Sequence, residues 1–165
     1  MKDVIKYKGL YIFYTKNMST GKIEHIETVE NIITDITLSY LIVALKGLNP
    51  VTYNYGIDIR QLAIGTGTTA PTATDTKLVT EVYRVPRAAQ TITAAGELTT
   101  EFYISDNEYT GSIKEVGVYG GYRAYDWLEG LNKDLGNLMS RALWDYTKSD
   151  SEQIIIQRVD RLARG

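Results

Sequence analysis

The chain contains no cysteine and a single histidine, His25, among its 165 residues. The first absence excludes disulfides, thiolate metal sites and a cysteine nucleophile. The second excludes histidine-rich zinc or iron centres, and any Ser-His-Asp triad has to use His25. A charge excess is missing too: 18 Lys and Arg stand against 20 Asp and Glu, for a net charge of −2 at pH 7. Such a balance offers little to neutralise a phosphate backbone and argues against a nucleic-acid partner. Leu38 to Leu45, with Ser39 inside it, is the longest apolar stretch. It falls far short of the roughly 18 residues that cross a bilayer, so no membrane partner is expected. The opening Met1-Lys2-Asp3-Val4-Ile5-Lys6 lacks the apolar core of a signal peptide. These absences disfavour most enzyme classes, and no cofactor or metal is expected.

What is present favours β-structure. Thr, Ile and Val number 19, 17 and 10, and Tyr adds 13. β-branched and aromatic side chains fit a pleated, half-buried surface and crowd a helix. The length suits one domain, residues 1–165, and 44% hydrophobic with 23% charged residues is globular composition. No fixed period organises the 14 glycines, so no internal repeat is read.

Val4–Tyr7 and Tyr11–Tyr14 flank Lys8-Gly9 and predict an N-terminal hairpin, with residues 1–30 an extension available for docking. A second turn is expected at Ser19-Thr20-Gly21-Lys22, before a strand at Ile23–Glu27. Leu38, Leu41, Ile42 and Leu45 fall at i, i+3, i+4 and i+7 and predict one amphipathic helix over about 35–46. Thr34 or Asp35 would cap it, with Gly47 at its end and Pro50 beyond. This helix should plug one face of the sheets through that stripe. Further strands are expected at Ile57–Ile64, Val82–Val85, Ala88–Thr93, Leu98–Ser105, Ile113–Tyr119, Asn137–Trp144 and Glu152–Val159. In Ile113–Tyr119 the apolar parity slips, which places a bulge near Lys114-Glu115. Closely spaced strands without intervening helices predict an antiparallel β-sandwich or jelly roll.

Few motifs carry chemistry. Gly65-Thr66-Gly67-Thr68-Thr69-Ala70 matches the dinucleotide fingerprint formally, but no amphipathic helix follows to face a pyrophosphate, so it reads as a structural loop. His25 sits in an alternating run without a visible nucleophile or orienting group. Asp106-Asn107-Glu108 has no calcium-loop spacing around it and reads as a turn. Asp126 with Glu129, or Asp145 with Asp150, are chance carboxylate pairs among 20 acidic residues. Arg158, Arg161 and Arg164 suit contact with an acidic neighbour or plain solvation. Tyr122, Tyr125 and Trp127, in a loop among charges, suit an interface core, or else rings folded back over the end of the sandwich.

The stretch Leu62 to Thr76 (LAIGTGTTAPTATDT), followed by Glu81-Val82-Tyr83-Arg84, resembles a widespread group of tailed-bacteriophage virion proteins described as tail fibre or tail structural proteins. Ile113 to Gly121 (IKEVGVYGG), Asn137 to Leu143 (NLMSRAL) and Asn31-Ile32-Ile33-Thr34 are similar to the same group, so the likeness spans roughly residues 31–160. Residues 1–30 and 122–135 depart from it. The resemblance implies a non-enzymatic structural component of a virion, in the tail fibre, baseplate or collar region, made and folded in the host bacterial cytoplasm. It implies a symmetric homo-oligomer, a trimer or hexamer, docked to other virion proteins. Gly65 and Gly67 would permit a tight backbone path and Pro71 would stiffen it, so that this loop packs against sister subunits. With Tyr122, Tyr125, Trp127, Arg158 and Arg161, these residues form the expected assembly surface. Three alternatives stand beside this: a capsid decoration or cement protein, a carbohydrate-binding module stacking Tyr122, Tyr125 and Trp127 on a host glycan, and a hydrolase using the carboxylates.

Overall fold

The computed structural model of the chain describes residues 5–46, 58–121 and 133–164. Ten strands and one helix follow in the order β1 Ile5–Asn17, β2 Ile23–Glu30, β3 Ile32–Ile33, α1 Asp35–Leu45, β4 Ile59–Gly65, β5 Glu81–Pro86, β6 Ala89–Ala94, β7 Glu97–Ile104, β8 Gly111–Gly120, β9 Asn137–Lys148 and β10 Glu152–Arg164. They form two five-stranded sheets, β2-β1-β10-β7-β6 and β3-β9-β8-β4-β5. The pairings are antiparallel, and the architecture is the expected β-sandwich.

The core follows the two-residue period. Tyr11 and Phe13 of β1, Phe102 and Ile104 of β7, and Ile154 and Ile156 of β10 point inward from the first sheet. Leu62, Ile64, Val116, Val118, Ala142 and Trp144 meet them from the second. Phe13 stacks on Trp144 with ring centroids 3.8 Å apart and 10° between planes. The inward row foreseen in β7 is present, with Thr100, Phe102 and Ile104 buried and Leu98 half-buried at the sheet's end. The bulge foreseen near Lys114-Glu115 is also there, as a register shift between Ile113 and Glu115.

Two expectations are corrected. Lys8-Gly9 is not a turn: β1 runs straight through it, paired with β10 from Ile5 opposite Arg164 to Asn17 opposite Glu152. Thirteen cross-strand pairs outweigh a local turn signal, and Gly9 serves a different need. The Asn31 side chain comes within 2.6 Å of where a Gly9 Cβ would stand. The chain reverses instead at Asn17–Lys22, where Asn17 Oδ1 accepts the N–H groups of Ser19 and Thr20 and Gly21 takes φ +69°. Residues 5–30 are therefore built into the sandwich, with Tyr11 and Phe13 in its core, rather than appended to it.

Helix α1 has the expected extent and follows an extended Thr34, but it buries a different face. Thr37 and Tyr40 are buried, while Leu38, Ile42 and Leu45 are 45%, 66% and 84% exposed. The seat is polar. Thr37 Oγ1 donates to the Met139 carbonyl at 2.8 Å, and Thr34 Oγ1 donates to the Leu138 carbonyl at 2.6 Å, which ties the helix to β9. Gly47 and Pro50, the expected terminators, lie outside the described residues.

Candidate functional site

The outer face of the second sheet is covered by the chain between β4 and β5. Residues 66–80 leave β4 at Gly65 and return beside it, where the Thr66 N–H donates to the Thr80 carbonyl at 2.9 Å. Leu78 drops from this loop onto Ala63, Tyr119 and Leu138, forming a second, smaller apolar cluster. The Leu78 N–H donates to the Tyr119 hydroxyl at 2.9 Å. On Tyr119, burial drives the phenol pKa well above its ordinary value. The guanidinium of Arg84 stands 3.9 Å over its ring and forks onto Glu81 through two 2.7 Å bonds.

At the centre lies Glu115, fully buried on β8. Its Oε1 accepts the N–H groups of Gly67 (3.0 Å) and Thr80 (2.8 Å). Its Oε2 accepts the N–H of Val79 (3.0 Å) and the Nε of Arg141 (2.8 Å). Arg141, buried on β9, extends the chain of charges: Nη1 reaches Asp75 Oδ2 at 2.8 Å and Nη2 reaches the Thr69 carbonyl at 2.7 Å. Asp75 in turn accepts the N–H and the hydroxyl of Thr72. Burial pushes the Asp75 carboxyl up, but the Thr72 bonds and the Arg141 guanidinium outweigh it and hold the pKa below its ordinary value.

This geometry explains the glycine fingerprint. Anion-binding loops gather backbone N–H groups around a phosphate. Here the N–H groups of Gly67, Val79 and Thr80 are gathered around the protein's own carboxylate. A Gly67 Cβ would collide with Glu115 Oε1 and come within 2.5 Å of Val79 Cβ, while a Gly65 Cβ would come within 2.5 Å of the Thr80 carbonyl oxygen. The two glycines are needed for contacts inside the chain. Pro71 is half-buried in the same loop, where Thr66, Thr68, Thr69, Ala70, Thr72, Ala73 and Thr74 are exposed, as are Thr76, Lys77, Val79 and Thr80.

The other predicted site residues lie elsewhere. Arg158 is fully buried in the first sheet and gives Nε and Nη2 to Asp160 Oδ1 at 3.0 and 2.7 Å, so it presents no charge to a neighbour. Tyr7 donates to the same oxygen at 2.7 Å. Burial disfavours the charge on Arg158, yet Asp160 and the phenols of Tyr7 and Tyr11 more than offset it and raise the pKa. Arg161 is exposed and pairs with Glu97 on β7. His25 is exposed on β2, bonded to Thr28 and edge-on to Tyr14. Asp106–Glu108 is a turn closed by Glu108 Oε2 on the Ser105 N–H. Tyr122, Tyr125, Trp127, Asp126 and Glu129 lie outside the described residues.

No protein-family model matches the chain, and neither a curated protein nor a solved structure matches it. The assignment therefore rests on geometry. Sequence reasoning singled out Gly65, Gly67 and Pro71, but missed Glu115, Arg141 and Asp75, which hold them. Glu115 and Arg141 each precede an apolar residue, Val116 and Ala142, inside an expected strand, and that was the available signal, since Glu and Arg are rarely fully buried unless paired; Asp75, between Thr74 and Thr76 in the loop, carried none.

Proposed function

We propose that the protein is a non-enzymatic structural subunit of a bacteriophage particle, in its tail fibre, baseplate or collar region, that acts by self-assembly and docking. The observation that carries this reading is the loop over residues 66–80. Buried Glu115 and Arg141 with half-buried Asp75 fix its backbone, yet from Thr66 to Thr74 its exposed side chains are Thr and Ala alone, with Lys77 and Val79 exposed further on. A surface ordered before contact loses little entropy on binding, and small side chains let a neighbouring backbone approach closely. The virion setting is what the resemblance stated from the sequence of residues 31–160 implies, while the loop geometry bears on assembly alone. A large cation on the loop tests it. Ala70→Arg should lower the solution mass of the assembly and leave the unfolding midpoint unchanged, because exposed substitutions cost less than about 0.5 kcal/mol. An unchanged mass would remove the loop from the interface.

A further inference from the structure

Among the described residues the two sheets end in four outer strands, β2 and β6 in one and β3 and β5 in the other. An outer strand presents unpaired N–H and C=O groups that invite another strand, and proteins guard such edges with charge, proline or shortness. Three of the four are guarded. β2 carries Glu24, Glu27 and Glu30; β3 is two residues long; β5 carries the Glu81–Arg84 pair and ends at Pro86. β6, Ala-Gln-Thr-Ile-Thr-Ala, has no charge and no proline, and all six residues are exposed. Its only irregularity is a shift against β7 between Ile92 and Ala94, at the hairpin end. Ile92 is 78% exposed. It stands opposite Leu98, and both line a cavity of about 300 Å³ together with Leu41, Met139 and Leu162.

We infer that β6 is the surface through which two copies of this chain join, as an antiparallel β6–β6 pair about a twofold axis perpendicular to the sheet. This rests on the assembly reading above and names its partner and surface. Strand direction favours a twofold over a ring. β1 pairs antiparallel with both β2 and β10, β10 with β7, and β7 with β6, so β2 and β6 run the same way. Joining β6 head to tail with β2 of the next copy would create a parallel pair, the slightly weaker kind. A twofold makes an antiparallel pair like those within the chain. In it the residue at the axis faces its own copy; with Ile92 there, two exposed isoleucines cover one another and no like charges meet. The occupant is thus a second copy, and the count of chains is even: a dimer, or a hexamer built from two trimers.

Light scattering on the full chain and on Ile92→Lys, with Ile23→Lys on the opposite edge as control, tests this. Ile92→Lys should halve the mass and Ile23→Lys should leave it unchanged, with both proteins retaining the β-sheet circular dichroism of the parent. Because the chain has no other cysteine, Ile92→Cys treated with a short bis-maleimide should run at about twice 18.5 kDa. Ile23→Cys should not. A multimer whose mass ignores Ile92→Lys, or whose Ile92→Cys form does not cross-link, overturns the β6 pair and leaves the assembly reading standing. A monomer at every concentration overturns both.

Discussion

A carboxylate taken out of water costs several kcal/mol unless its oxygens find donors. Glu115 receives four, three from the loop backbone and one from Arg141, and so converts that penalty into a specification of the path of residues 66–80. Two outcomes follow at this scale. Gly67→Ala pushes a methyl into Glu115 and Val79 and should destabilise the chain by about 1–3 kcal/mol, the usual cost of overpacking, read as a lower urea midpoint. Asp75 gives the second. Its folded pKa is depressed, so its contribution is complete above the unfolded value of about 3.9 and disappears as pH falls through the folded one. The stability gap between the parent and Asp75→Asn should be present at pH 7 and should narrow steadily below about pH 4. A gap independent of pH would show that the carboxylate charge does not hold the loop.

Elements were legible where a period was unambiguous. β7 alternates cleanly, and its inward row is readable directly from Leu98, Thr100, Phe102 and Ile104. The slip around Glu115 also told its story, because a bulge is the simple way to keep Ile113 and Val116 both inward. α1 was readable in extent but not in orientation. Ile36, Leu38, Tyr40, Leu41, Ile42, Val43 and Leu45 leave no polar face to mark the outside, so tertiary hydrogen bonds from Thr34 and Thr37 decide which side is seated. Thr37→Val, nearly the same shape without the hydroxyl, should therefore cost about 1 kcal/mol in thermal or urea unfolding. Ile42→Lys should cost less than about 0.5 kcal/mol. The reverse order would restore the Leu38–Leu45 stripe as the packing face. β1 shows the opposite failure. A local Lys-Gly signal was overridden by pairing with a strand some 150 residues away, which no local pattern reports.

At the scale of the molecule, the proposed assembly rests on two surfaces with different chemistry. One is the clamped loop on the outside of the second sheet, and the other is β6, the outer strand of the first that carries neither charge nor proline. The loop's small residues and glycines were visible in the sequence, but the buried charges that fix it come from β8, β9 and the loop itself and meet only in the folded chain. The β6 edge was invisible for a related reason: whether a neutral strand lies at an edge depends on sheet order, which strand spacing does not reveal. The molar mass of the purified chain, by light scattering across a range of concentrations, tests the claim of self-assembly most directly. The account predicts a stable multiple of 18.5 kDa, even in number if both surfaces operate. A mass of 18.5 kDa that persists to high concentration would contradict it.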